Sequence, residues 1–185
     1  MKQWILLVGV VALTGTALLL PSPVPPTKKE VAESVADEIT VDKAALERSR
    51  HTVKMLDDIY KTAVVLITDK YVHDEDDFPA GSAAIALFDH VTEKGWHEVR
   101  LIDATGDPYD DDNVAQDEFE RRGIQKLLEG ETFVDRVVTK DGKSYLRAMT
   151  PVPVVMEKCI MCHAHYEDVP EGQAIGAISY TLPIE

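Results

Sequence analysis

The chain has 185 residues, 33 of them acidic against 19 lysines and arginines, giving a formal charge of −14 and a pI of about 4.8. That length holds one domain with its own core plus a leader. So acidic a surface is a poor partner for nucleic acid or anionic lipid, and fits a solvated exterior or docking to a basic partner protein.

Residues 1–30 read MKQWILLVGVVALTGTALLLPSPVPPTKKE. One cation, Lys2, precedes an uncharged apolar run over residues 4–20, and prolines follow between Pro21 and Pro26. A positive start, an apolar middle and a helix-breaking end have the form of an export signal. The run is long for a cleaved signal and short for a comfortable span, so a signal peptide and a retained anchor both fit. The expected organisation is a signal peptide or membrane anchor over residues 1–26, a polar linker over 27–40, and one domain over 41–185. The expected location is periplasmic or otherwise extracytoplasmic, with membrane contact only if residues 4–20 are retained. No cysteine follows the run, which argues against a lipoprotein anchor.

From residue 41 to about 72, apolar side chains recur at steps of three, four or seven, among them Val53, Leu56, Tyr60, Val64 and Ile67. The spacing predicts one long amphipathic helix, and its second half, TAVVLIT, is apolar on most sides and expected to be buried. HDEDDFPAG interrupts it. Ser82 is then the expected cap of a short helix, AAIALFDHVTEK, ended by Gly95. WHEVRLIDA alternates as a strand. TGDPYDDDN is an acidic loop whose aspartates lack the spacing and closing glutamate of an EF-hand. VAQDEFERRGIQKLLEG reads as an amphipathic helix. TFVDRVVT and KSYLRAMTPV flank Asp141-Gly142 as a β-hairpin. A loop carrying the cysteines follows, and QAIGAISYTLPIE alternates as the last strand. This order predicts an α+β fold, a small antiparallel sheet with helices on one side.

The stretch CIMCHAH, residues 159–165, holds both cysteines of the chain, with a histidine directly after the second. Such a spacing arises by chance on the order of once in 3,000. A disulfide across two intervening residues would close a tiny loop and restrain little of the unfolded chain. A redox dithiol needs a thiolate stabilised at a helix N-terminus, and no helical pattern follows the pair. Zinc would need four ligands crowded into seven residues. Covalent haem has a direct chemical basis. Thiols at Cys159 and Cys162 add to the two vinyl groups, and the imidazole of His163 reaches the iron from one side. That chemistry occurs outside the cytoplasm, where the leader directs the chain. One haem c is therefore the expected cofactor.

The motif has too little chain after it, and no methionine there, for a small electron-carrier cytochrome. Pro170 and Gly172 rule against a four-helix cytochrome. KGWHEVRLID, YLRAMTPV, CIMCH and GQAIGAISYTLP together resemble a Tll-like bacterial family of single-CxxCH c-haem domains, long catalogued as a domain of unknown function. The resemblance implies a PAS-like antiparallel sheet, a long N-terminal helix packed on it, export, and a sensory or redox role. One type in that family is thought to place a cysteine on the iron from a point before the GW strand. This chain has no third cysteine, and DDFPAGSAAIA supplies neither sulfur nor imidazole there.

The second axial position is then open, or filled by His51 or Met55, which lie one turn apart on the long helix. Tyr60 is a core residue or a donor in the pocket. His73, His90 and His97 read as surface positions, and His165 sits too close to the motif to reach the opposite side. Arg147 and Arg100 are candidate partners of the haem propionates, since guanidinium matches carboxylate. The expected function is an exported monohaem c-type domain that senses a small gaseous ligand or redox state. Electron transfer to a partner protein is the alternative, with peroxidase-like turnover a distant third.

Overall fold

The computed structural model describes residues 41–74 and 77–185; the expected leader and linker lie outside them. Helix α1 spans Lys43–Tyr71, helix α2 Ala80–Glu93 and strand β1 Glu98–Asp103. Helix α3 (Glu118–Leu128) follows an acidic loop, and a hairpin of β2 (Val134–Lys140) and β3 (Lys143–Pro153) comes next. Helix α4 (Glu157–Cys162), a 3-10 turn at Ala164–Tyr166 and strand β4 (Ala174–Pro183) complete the order. The four strands form one antiparallel sheet in the order β1-β4-β3-β2. The architecture is α+β with a long N-terminal helix.

Local chemistry sets the boundaries. The Asp42 carboxylate accepts from the amides of Ala44 and Ala45 and starts α1. Helix α2 is capped three residues before the expected Ser82, at Pro79, whose fixed φ suits a helix entry where no amide is needed. Asp117 caps α3 by accepting from the Glu120 amide. In the hairpin, Asp141 and Gly142 both take positive φ, 53° and 73°, the two-residue turn that matches strand twist.

The sheet is covered on both faces, which corrects the expectation of helices on one side. Val53 and Tyr60 of α1 and Phe88 of α2 pack with Val99, Leu146, Ile178 and Tyr180 on one face. Phe119 and Leu127 of α3 pack with Ile102, Met149 and Ala177 on the other. The alternation read in β4 is therefore between two cores rather than between core and water, and Ala174 through Tyr180 are all buried. A second correction concerns α1. TAVVLIT does not enter the core as a block. Only Thr68 of that stretch is buried, and Leu66 is 52% exposed. In its last turns burial is confined to Thr68 and the following Val72, while Leu66 and Tyr71 stay exposed.

Of the polar ties that cross the first interface, one is centred on Asp57. Asp57 of α1 accepts from Thr150 Oγ1 of β3 at 2.5 Å and from Tyr180 OH of β4 at 3.0 Å, and pairs with Lys61 at 2.8 Å. Burial, with the Asp57 charge alongside, pushes the Tyr180 hydroxyl far above its ordinary range, so it stays a donor.

Candidate functional site

The hairpin delivers the cysteine motif. Pro151 and Pro153 end β3, the chain turns at Met156, and residues 157–162 form the one-and-a-half turns of α4. The sequence pattern gave no sign of this helix, which is too short to show a period. Cys159 and Cys162, three residues apart, therefore lie on one side of a helical turn, as free thiols, with Cys162 exposed. His163 is the residue that ends α4.

The imidazole of His163 is held by rings. Tyr166 stacks on it with centroids 4.7 Å apart, and His165 and Tyr109 meet it edge-on at 5.9 and 5.7 Å. Burial, with His165 beside it, lowers the His163 pKa, while Asp103 opposes the shift. The ring is thereby kept neutral and able to donate its lone pair to a metal. Burial, with Asp103, Cys159 and Asp107 nearby, raises the Tyr166 pKa. The motif thus faces the end of β1 and the acidic loop that follows it. Among the described residues no group of three or more His, Cys, Asp or Glu side chains is arranged to hold a metal ion.

The segment is apolar yet shallow. No residue from 151 to 173 is buried, although Val152, Val154, Met156, Ile160 and Met161 fall within it. Its anchor is Lys158, whose Nζ donates to the carbonyls of Thr68, Asp69 and Val72 at 3.2, 2.9 and 2.7 Å. These are the free acceptors at the C-terminal end of α1.

A family model matches residues 30–183. The chain belongs to the Tll0287-like family. That membership is consistent with a cytochrome-like domain. No curated protein matches the chain. The Tll0287-like match runs through all four strands, α1 and the cysteine motif.

The structure of this Tll0287-like chain does not bring together all the residues singled out from sequence. His51 and Met55 lie on the exposed side of α1. Thr68, where Lys158 attaches the motif, is roughly 25 Å further along the helix than His51 and roughly 20 Å further than Met55. A groove of about 480 Å³ near that other end of α1 is lined by Thr52, Leu56, Trp96 and Leu182, and none of the motif. Tyr60 is core, stacked on Tyr180, with its hydroxyl 3.0 Å from His97 Nε2. His97 is half-buried there rather than at the surface, and burial lowers its pKa.

Arg147 and Arg100, expected to meet haem propionates, pair here with carboxylates carried by α3 and its cap. Both turn to the α3 face, opposite the face that α1 covers. Arg100 pairs with Glu120 at 2.8 Å, and Arg147 with Glu120 at 3.4 Å and with Asp117. Glu120 also accepts from Ser179 and the Gln116 amide, at 3.0 and 2.9 Å. Arg100 further binds the carbonyls of Asp112 and Val114, so the network pins the loop that carries Tyr109.

Sequence reasoning missed Lys158, Tyr166 and Glu120. Tyr166 carried a signal, a ring three residues after His163. A lysine beside a cysteine, and a glutamate in a helix rich in charge, carried none.

Proposed function

We propose that the chain is an exported c-type cytochrome domain holding one haem through Cys159 and Cys162, with His163 as iron ligand, and serving as a sensor of redox state or of a small gas. The observation that carries the reading is the placement of both thiols on one helical turn with the imidazole immediately after it. The residues fit the group in a second respect. A macrocycle would offer apolar surface to a segment in which Val154, Met156, Ile160 and Met161 are only partly buried. Bound haem would supply one-electron chemistry and an iron able to take a small ligand. The chain's own part is to keep His163 neutral through burial and to hold its plane against Tyr166. Neither His51 nor Met55 is near the motif, so neither is placed to join His163 in holding the group, which favours the gas-sensing reading. Electron transfer is the second reading, favoured by the exposure of Cys162, which puts one edge of the site within reach of a docked partner.

The test is a set of spectra of protein matured by haem-attachment machinery. A pyridine haemochrome typical of two thioether links is expected, together with a ferrous spectrum that shifts with CO. Protein purified without covalent haem would overturn the assignment. A low-spin ferrous spectrum indifferent to CO would transfer it to the electron carrier.

A further inference from the structure

The ammonium of Lys158 makes three hydrogen bonds to main-chain carbonyls of another element. Among the described residues, every hydrogen bond joining residues 154–173 to the rest of the fold comes from this one atom. The acceptors are chemically apt. The last carbonyls of a helix have no partner within it and carry the negative end of its dipole. Lys158 is also the residue next to Cys159, within α4 itself.

The other side of this contact is equally dependent on it. Asp57 ties the middle of α1 to β3 and β4, whereas near its end Leu66 and Tyr71 are exposed and only Thr68 and the following Val72 are buried. Thr68 spends its hydroxyl on Val64 of its own helix. Among the described residues, the hydrogen bonds between α4 and the end of α1 therefore all come from one side chain.

We propose that Lys158 is a positioning residue that makes α4 and the last two turns of α1 one mechanical body, so that a change of state at the motif is delivered to the long helix. The proposal rests on the haem reading for the nature of that change, and on geometry alone for its transmission.

The experiment is hydrogen exchange of residues 65–72 in the full chain, with and without haem attached, for wild type, Lys158→Met and Lys158→Arg. In wild type, haem attachment is expected to slow exchange there by about tenfold. Lys158→Met, which keeps the stem and loses the charge, should abolish the slowing at unchanged haem content by pyridine haemochrome. Lys158→Arg should retain most of it. The same slowing in Lys158→Met, or none in fully loaded wild type, would overturn the coupling. If wild type takes up no thioether haem, the haem reading falls separately. The coupling is then decided by alkylating Cys159 and Cys162 with iodoacetamide: altered exchange at 65–72 in wild type but not in Lys158→Met sustains it, and no change in wild type defeats it.

Discussion

Glu120 is almost completely buried, with its side chain 3% exposed, and it is the shared acceptor of two guanidiniums. Removing one member of such a group strands the others. Glu120→Ala is therefore expected to cost about 3–5 kcal/mol in urea denaturation, while leaving covalent haem content unaltered if Arg100 and Arg147 serve this network rather than the cofactor. His97 gives a pH prediction. Its pKa in the fold lies below its ordinary 6.5 because burial disfavours the cation. As pH falls through that ordinary value, the unfolded chain takes up a proton that the folded chain declines, so stability falls with acidification. The urea midpoint should drop between about pH 7.5 and about pH 5 more steeply in wild type than in His97→Gln. Equal slopes would mean that His97 titrates alike in both states. Neither residue announced its role in the sequence. A buried glutamate and a solvent-facing one look the same in an amphipathic helix, and His97 sits beside an exposed Trp96 in a strand edge that reads as surface.

Elements were more legible than residues. The 3.6 period of α1, the Asp141-Gly142 turn and the alternation of β1 each reflect backbone geometry that side-chain pattern must obey. What the pattern could not carry was the second layer. Helix α3 has the same amphipathic look whichever face of the sheet it covers, and β4 alternates whether its outer side meets water or another core. Gly123 records where that layer closes. A Cβ on it would stand 2.2 Å from Met149 Sδ, and Met149 has no exposed surface into which to yield. Gly123→Ala should thus destabilise by about 1–3 kcal/mol through overpacking, despite a helix-propensity gain of about 1 kcal/mol. The penalty should shrink in a Met149→Val background, measured as a double-mutant cycle. On the opposite face, Asp57→Ala strands Thr150 and Tyr180 and should cost about 2–4 kcal/mol in the same denaturation assay.

At the scale of the molecule, the charge of −14 sets a self-repulsion that counterions relieve. The melting temperature should rise as ionic strength goes from about 10 to about 200 mM, and a fall would show that attractive pairs such as Arg50 with Asp135 outweigh the net charge. The order of the strands also has a meaning in time. Strand β1 is made about 70 residues before β4, its neighbour in the sheet, so the first half of the fold leaves its site of synthesis with an open seam. Cys159, Cys162 and His163 emerge inside that interval, ahead of β4. An enzyme that handles those thiols can therefore meet them before residues 174–183 latch the sheet, and Cys162 stays exposed after they do.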